Sequence, residues 1–504
     1  MNDESNAVSA ARGVSVLGLQ EIVSSVARIV AFAVFARLIS VAQMGVFTIL
    51  TLANAGASAV MGLGLSSVVT KFVAEDLAKG NKKEAASVYY KGLLLSELAS
   101  VAAAVGFLIS KFPAGVSSVT NSAQVSLIGV LFAIDIAAQI GPTASAAFFG
   151  LLEFRDYALI YGIQASLRPW LVIVLIYEMK SLVGLVAGWV IADAVLAAYV
   201  FLYLWRRLGP PVFKFDTKYL LKLSSPLYLA NIASFLYSTF DQLTLISLVS
   251  LTSLGVYGAA ANAFSAFNGL MAVIGQVLLP VFSGLRGAKG HEALENSIRT
   301  ASRYVSILAI PMAFAVAAAA RPALTLFVGN GYEGGSIPLA ILSLAYTATI
   351  IGMAFGPVLI VLNETRLAAL VYILPIPLSL GVALISIPIL GILGASIARG
   401  LSMVLGLLLT WHFVRRRIVF KLDYQAITKS FVASGAMALI MEDLQLWCYS
   451  QFLLPVYLSI GFVAYLLAMR TMKAMNKSDV DLLRNILGPR SGRICGLLSW
   501  LIIN

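Results

Sequence analysis

The sequence predicts an all-α polytopic membrane protein with about fourteen transmembrane helices, arranged as two pseudo-symmetric six-helix lobes plus two extra helices. Three observations support this prediction. The chain of 504 residues is 60% hydrophobic and only 12% charged, which is about half the charged fraction of a typical soluble protein. Apolar runs of about twenty residues, long enough to cross a bilayer, recur along the chain. A short pattern also repeats at an offset of about 210 positions.

The apolar runs are too long for the strands of a membrane barrel, which need only about ten residues, so each run is predicted to be a helix. The predicted spans cover residues 13–36, 44–66, 89–110, 124–149, 157–177, 182–204, 224–248, 254–281, 303–320, 336–360, 367–388, 391–412, 427–446 and 453–470.

The repeat consists of two short motifs that flank an apolar run in each half of the chain. The first copy has Gly45-Val46-Phe47 and Ala78-Lys79-Gly80, and the second has Gly255-Val256-Tyr257 and Ala288-Lys289-Gly290. Two matches at one offset indicate a duplicated half, which is typical of transporters that handle their substrate between the halves. The predicted domains are an N-terminal lobe, a C-terminal lobe, a final helix pair and a cytoplasmic amphipathic tail, over residues 1–208, 218–416, 425–472 and 478–504.

The distribution of lysine and arginine predicts the orientation. The net charge is +12, and the basic residues cluster in the loops after even-numbered spans and in the C-terminal tail. The loops after odd-numbered spans hold only Arg37, Lys111, Lys180 and Arg321. By the positive-inside rule, both termini lie in the cytoplasm and the protein is a multi-pass protein of the cytoplasmic membrane. The basic charge therefore reports topology and does not indicate nucleic-acid binding.

Polar residues within predicted spans require an explanation, because a charge at mid-membrane costs about 2.5–3.5 kcal/mol. Four spans carry a stripe at helical spacing: Glu21, Ser24 and Arg28 on the first, Asn54 and Ser58 on the second, Asn231, Ser234, Ser238 and Asp241 on the seventh, and Asn262, Ser265 and Asn268 on the eighth. Stripes on equivalent helices of the two lobes predict a shared, water-accessible substrate cavity.

Further inward-facing candidates are Asp135 and Gln139 on the fourth span, Gln164 and Arg168 on the fifth, Asp193 on the sixth and Arg399 on the twelfth. The alternative is that such residues pair with one another and only hold helices together, and for Asp193 and Arg399 both interpretations stay open. For Arg28 and Asp241 the length of their stripes favours a role in the cavity.

The sequence contains no catalytic set in a soluble domain, no Walker A motif and no histidine pair at zinc spacing. We therefore expect neither enzymatic activity nor a bound metal or cofactor.

Several segments resemble the polysaccharide transporters of the multidrug/oligosaccharidyl-lipid/polysaccharide (MOP) exporter superfamily, the O-antigen flippase type. They include Ala36-Arg37-Leu38-Ile39-Ser40, Gly62-Leu63-Gly64, Leu279-Pro280, Phe327-Val328-Gly329 and Gly391-Ile392-Leu393-Gly394-Ala395. The resemblance implies a flippase that moves a polyprenyl-linked sugar by rocking two lobes. Its partners would be that substrate, membrane lipids and the enzymes that assemble glycans.

On this interpretation Arg28 and Arg168 bind phosphate, and Asn54, Asn231 and Asn262 bind sugar hydroxyls, with Ser234 and Ser238 beside them in the cavity. Glu21 or Asp241 either couples transport to Na⁺ or H⁺ or neutralises an arginine, and Asp135 and Arg399 have the same alternatives. The rival functions are a cation-coupled multidrug exporter of the same superfamily, which usually has twelve spans, and a non-transporting membrane scaffold.

Overall fold

The computed structural model describes residues 20–21, 23–109 and 122–473. Every secondary-structure element in these ranges is helical. The predicted amphipathic tail, residues 478–504, lies outside the described residues. The described chain forms two compact units. Unit 1 is the described residues up to Ile246 with Ser250–Gly255, and unit 2 is Ser247–Val249 with the described residues from Val256.

Unit 1 is built from nine helices or parts of helices, together with the first five residues of the next helix, Leu251–Gly255. They are α1 (residues 20–38, of which 22 is not described), α2 (Val41–Met61), α3 (Leu65–Ala78), α4 (Lys82–Ile109), α5 (Ser122–Ala138), α6 (Gly141–Gly150), α7 (Phe154–Met179), α8 (Val183–Leu208) and most of α9 (Thr217–Leu248). Its core includes Tyr89, Tyr90 and Phe148, which are fully buried between α4, α6 and their neighbours.

Unit 2 contains the remaining helices. They are most of α10 (Leu251–Ala318), then α11 (Ala320–Phe327), α12 (Ser336–Met353), α13 (Pro357–Val361), α14 (Thr365–Ile373), α15 (Pro375–Leu390), α16 (Ile392–Arg415), α17 (Tyr424–Trp447) and α18 (Leu454–Thr471). Two apolar cores hold it together. One packs α17 and α18 against the α10–α11 region, and the other joins α10 to α13, α14 and α16.

The fold class predicted from the sequence is confirmed, and a helix occupies the described part of each predicted span. Ten helical segments in the described ranges are long and apolar enough to cross a membrane. Predicted spans 1, 7, 8 and 13 are not among them. The polar stripe of span 7 and the two acids of span 13, Glu442 and Asp443, lower the hydropathy of these two helices.

The helix α10 differs from the sequence prediction, which expected two spans joined by a loop. All 68 of its residues are helical, and a straight helix of that length would measure about 100 Å. Near its start, Val256 and Ala260 lie beside Gly335. Just beyond its end, Arg321 pairs with Glu333 at 2.6 Å. Because both ends lie beside the same short segment, α10 doubles back within its length and its two arms form predicted spans 8 and 9.

The internal repeat is visible in the detailed geometry of both units. In unit 1, Glu153 precedes α7 and binds Arg207 near the end of α8, with a Glu153 Oε1 to Arg207 Nε distance of 3.0 Å. In unit 2, Glu364 precedes α14 and its Oε1 lies 2.9 Å from Arg417 Nη2, just beyond α16. The residue before each glutamate adopts a left-handed backbone, with φ of 58° at Leu152 and 62° at Asn363. These offsets of about 210 residues match the sequence repeat.

The first repeat motif marks a reciprocal contact between the starts of α2 and α10, both of which belong to unit 1. A Cβ on Gly45 would lie 2.2 Å from Leu251 O, and a Cβ on Gly255 would lie 2.0 Å from Val41 O. The second motif behaves differently in the two copies. Gly80 forms a left-handed turn with φ of 76°, whereas residues 288–290 lie within α10.

Helix α9 begins the second lobe in the predicted domain scheme but packs within unit 1. Gly64 approaches the backbone of α9 so closely that a Cβ there would lie 2.4 Å from Ser224 O and 2.5 Å from Tyr228 N. Gly56 packs on the Phe235 ring of the same helix. The compact units therefore divide one helix later than the boundary suggested by the repeat.

Candidate functional site

A buried polar network lies inside unit 1, where α2, α7 and α8 supply two residues each and α5 supplies Asp135, with Gln139 directly after its last residue. The pairs are Asn54 and Ser58, Asp135 and Gln139, Gln164 and Arg168, and Trp189 and Asp193. Residues four apart lie on one face of a helix, so each helix presents both members of its pair to the network. The helices themselves pack through apolar neighbours such as Phe132, which stacks near Trp189.

The carboxylate of Asp135 is at the α2–α5 side of the network. The residue is completely buried. Its Oδ2 accepts hydrogen bonds from Asn54 Nδ2 and from Gln139 Nε2, both at 3.1 Å. Ser58 Oγ donates to Gln139 Oε1 at 3.2 Å. The two amides thereby orient the carboxylate, and the serine hydroxyl fixes one of the amides.

The carboxylate of Asp193 is at the α7–α8 side. Gln164 Nε2 donates to Asp193 Oδ1 at 2.8 Å, and Arg168 Nη2 lies 3.2 Å from Asp193 Oδ2. The Arg168 guanidinium also lies 5.2 Å from the centroid of the Trp189 ring, which is within cation–π range. The Arg168 side chain is 27% exposed and that of Asp193 is 8% exposed. Arg168 therefore keeps part of its surface exposed, whereas its partner Asp193 is buried.

The two sides adjoin where α5 packs on α8, because the ring centroids of Phe132 and Trp189 lie 6.3 Å apart, about one turn before Asp135 and Asp193. The structure thus places Asn54, Asp135 and Arg168 in one part of unit 1. Asp193, whose role the sequence left open, pairs with Arg168 at the centre of this group.

A second polar group lies on α1. Glu21 Oε1 is 2.6 Å from Arg28 Nη2, which also donates to Ser25 Oγ at 2.8 Å. Glu21 and Arg28 keep 53% and 44% of their side-chain surfaces exposed. Ser24, on the same predicted stripe, is instead buried and accepts a hydrogen bond from Gln20. The two charged residues of the stripe, Glu21 and Arg28, are therefore accessible, whereas Ser24 between them is packed against the protein.

The polar stripe of α9 is exposed along most of its length. Asn231, Ser234 and Ser238 are exposed, whereas Asp241 at the end of the stripe is buried. Ser238 Oγ donates a hydrogen bond to the backbone oxygen of Phe235 at 2.9 Å. The first three residues are thus available to a ligand, while Asp241 is part of the packed interior of unit 1.

Unit 2 carries the remaining predicted residues. Asn262 donates to Gly258 O of its own helix at 2.8 Å, and Arg399 is half-buried. Asn268 accepts a hydrogen bond from Tyr346 at 2.5 Å. By the repeat offset, the positions of Arg168, Asp135 and Asp193 correspond to residues near Leu378, Ala345 and Met403. The three charges of the network are therefore not repeated at the equivalent positions of unit 2.

The sequence analysis missed two residues of unit 1. Trp189 supports Arg168, and its spacing of four from Asp193 is the signal that would have found it. Glu97 lies in the middle of α4, and its Oε1 is buried and has no hydrogen-bond partner among the described residues. A single carboxylate within a long apolar span is a recognisable signal for such a residue.

A cavity of about 520 Å³ lies elsewhere on unit 1, near the end of α1 and the α7–α8 turn. Its polar lining consists of Gln43, Tyr177, Glu178, Lys180 and Ser181, none of which belongs to the network or to a predicted stripe. In the described ranges, no group of three histidine, cysteine, aspartate or glutamate residues is placed to hold a metal ion.

Several solved structures have the same fold as this chain. The lipid II flippase MurJ, in an inward closed conformation, matches with a TM-score of 0.71 and 15% identity over 93% of this chain and 99% of its own. A multidrug resistance MATE family transporter in an inward-facing conformation matches with a TM-score of 0.59 and 17% identity over 79% and 94%. A mutant of the Vibrio cholerae MATE transporter VcmN matches with a TM-score of 0.57 and 14% identity over 81% and 98%.

At the level of sequence, no curated protein matches the chain. The profile of the polysaccharide biosynthesis protein family, by contrast, matches residues 10–286, which is more than half of the chain. The matched region contains all of unit 1 that the structure describes, including the buried network. The chain therefore belongs to the polysaccharide biosynthesis protein family and shares the fold of the solved MurJ and MATE structures.

Proposed function

We propose that the protein is a flippase that moves a polyprenyl-linked oligosaccharide or polysaccharide precursor across the cytoplasmic membrane by alternating access. The observation that carries the proposal is family membership together with the extent of the structural match. MurJ, a lipid II flippase, covers 93% of this chain, whereas the two MATE transporters cover 79% and 81% although nearly all of their own chains align. The longer match favours a lipid-linked cargo over a drug.

The substrate requires a hydrated, cationic path, because a sugar pyrophosphate cannot cross hydrocarbon without losing its hydration. Arg28 supplies the phosphate contact. Its side chain is 44% exposed, and a guanidinium binds two phosphate oxygens through its planar fork. Glu21 and Ser25 both engage Nη2, so these contacts occupy only one edge of the guanidinium. Glu21 neutralises the arginine when the phosphate is absent.

The exposed stripe of α9 supplies contacts to sugar hydroxyls. Asn231, Ser234 and Ser238 offer one amide and two hydroxyls at successive turns, and such groups bind sugars by hydrogen bonds without a net charge. Asn54 and Arg168 are held in the buried network, so they support the structure around the substrate path and do not contact the substrate.

Glu21 and Asp241 are the acids that could couple transport to Na⁺ or H⁺. Both termini face the cytoplasm in this proposal.

Flipping of a fluorescent polyprenyl-pyrophosphate oligosaccharide in proteoliposomes tests the proposal. We expect transport by the wild type and a loss of at least about tenfold in Arg28→Ala, because removal of one charge-assisted contact costs about 1.5–3 kcal/mol. Arg155→Ala is the matched control, since Arg155 is also an exposed arginine of unit 1 but lies at the start of α7. It should flip lipid at the wild-type rate.

Two other results would contradict the proposal. Export of a cationic dye without any flipping of lipid-linked sugar would identify a multidrug exporter. Correctly inserted protein that transports neither compound, while Arg28→Ala remains functional in cells, would identify a scaffold.

A further inference from the structure

Three aromatic rings from distant parts of the sequence meet in unit 1, where α3 adjoins the start of α9. The ring centroid of Phe72 lies 5.6 Å from that of Phe215 and 6.0 Å from that of Tyr219, and the last two are 6.3 Å apart. Phe72 and Phe215 are half-buried, whereas Tyr219 keeps 47% of its surface exposed. The rings therefore form one cluster with an accessible edge.

The segment between α8 and α9 is held against α4 by two hydrogen bonds. Tyr90 Oη donates to the backbone oxygen of Gly209 at 2.8 Å, and Ser87 Oγ accepts from the backbone N–H of Phe215 at 2.8 Å. Both anchoring side chains belong to buried residues of α4. The side chains of residues 209–216 are therefore presented by an anchored part of the chain.

Four exposed lysines accompany the aromatic cluster. They are Lys71 on α3, Lys214 in the anchored segment, and Lys218 and Lys222 on one face at the start of α9. Lys71 Nζ lies 5.4 Å from the centroid of the Phe72 ring, which is within cation–π range. We call these four lysines and the three rings the basic–aromatic surface.

The positive charge of the basic–aromatic surface is not paired within the described residues, where none of its four ammonium groups is at ion-pair distance from a carboxylate. Glu75, one turn beyond Lys71, is bound instead to Lys79 at 2.7 Å. Asp216 Oδ1 accepts a hydrogen bond from the backbone N–H of Lys218 at 2.9 Å. The surface is therefore complementary to a partner that carries negative charge.

We propose that the basic–aromatic surface binds the headgroups of anionic phospholipids in the leaflet beside it. Phe72 follows the second predicted span and Tyr219 precedes the seventh, so the surface lies where apolar runs end. Aromatic rings are enriched at this depth of a membrane, and lysines there extend their ammonium groups towards the headgroups. The lysine distribution predicts that this end of the spans is cytoplasmic, and the cytoplasmic leaflet is the anionic one.

The mixture of rings and ammonium groups favours a lipid over a soluble anion. A soluble phosphate would contact only the lysines, whereas a phospholipid also offers glycerol and acyl carbons to the rings. Phe213, which directly precedes Lys214 and is 49% exposed, adds a further apolar side chain to the anchored segment.

Thermal unfolding of the full-length protein in mixed micelles, titrated with phosphatidylglycerol, tests the proposal. A ligand that binds the folded state raises the thermal midpoint, so phosphatidylglycerol should raise it more than phosphatidylcholine with the same acyl chains. Each lysine near an anionic surface contributes about fivefold in affinity. Lys218→Gln combined with Lys222→Gln should therefore need at least about tenfold more phosphatidylglycerol for the same rise.

A second pair of substitutions and a matched control separate a defined surface from general positive charge. Lys71→Gln combined with Lys214→Gln should weaken the response as well. Lys82→Gln combined with Lys83→Gln removes the same charge from two exposed lysines at the start of α4, outside the surface. This control should respond to phosphatidylglycerol as the wild type does.

Four results would overturn the proposal. They are equal stabilisation by phosphatidylcholine, an unchanged response in both test variants, an equal loss in the control, and the same stabilisation by glycerophosphoglycerol, which has the headgroup without acyl chains. The last result would identify a site for a soluble anion. The assay contains no transported substrate, so the lipid surface can fail while the flippase proposal stands, and the reverse.

Discussion

Replacing Arg168 with leucine is expected to destabilise unit 1 by about 3–5 kcal/mol, the usual cost of removing one partner from a buried ion pair. Arg168 is the only basic residue in the described network, and its loss leaves Asp193 without its cation at 3.2 Å. The substitution also removes the cation–π contact to Trp189. The measurement is the free energy of unfolding in mixed detergent micelles, compared with the wild type.

A double-mutant cycle separates the cost of leaving the Asp193 carboxylate unpaired from the cost of the lost packing of Arg168. Asp193→Leu combined with Arg168→Leu removes both charges, so the double variant should be more stable than Arg168→Leu alone. If the two single effects simply add, the ion pair contributes no coupling and the expectation is wrong. Arg155→Leu, an exposed arginine of α7, is the control and should change stability by less than about 0.5 kcal/mol.

Gly64→Ala is expected to have the second large effect on stability. Gly64 has φ of +67°, a conformation that costs an alanine about 1–2 kcal/mol. The new Cβ would also lie 2.4 Å from Ser224 O and 2.5 Å from Tyr228 N. These are backbone atoms of α9, so relief requires a movement of that helix, and overpacking of this kind costs about 1–3 kcal/mol more.

Gly80→Ala is a matched control for this prediction. Gly80 has φ of +76° but nothing within 4 Å of a built Cβ, so its substitution carries the backbone strain without the clash. The thermal midpoint of Gly64→Ala in detergent should therefore fall well below that of Gly80→Ala. Equal midpoints would show that the close contact with α9 contributes nothing to stability.

The position of α9 also has a consequence for the proposed substrate contacts. The exposed residues Asn231, Ser234 and Ser238 follow Tyr228 on the same helix. A displacement of α9 by Gly64→Ala should therefore reduce flipping as well as stability, whereas Gly80→Ala should leave flipping unchanged. Measuring both variants in proteoliposomes at a temperature at which both are folded checks this expectation.

The sequence alone determined the fold class, the approximate spans and the existence of an internal repeat. These features follow from the length of the apolar runs, from the polar loops between them and from the spacing of short motifs. All three can be read from residues that are close together in the sequence. The i, i+4 pairs such as Asp135 with Gln139 were also visible, because helical geometry fixes which residues share a face. The equivalent turns at Leu152 and Asn363 then showed the same repeat in three dimensions.

Only the tertiary structure decided which polar residues meet. Asn54 and Asp135 are 81 residues apart and Gln164 and Asp193 are 29 apart, and no local pattern specifies the partner of a polar group on another helix. The packing of α2, α5, α7 and α8 joined these residues into one buried network in unit 1. It also placed α9 in unit 1. Gly64 contacts the α9 backbone about 160 residues further along the chain, and no local sequence pattern specifies such a contact.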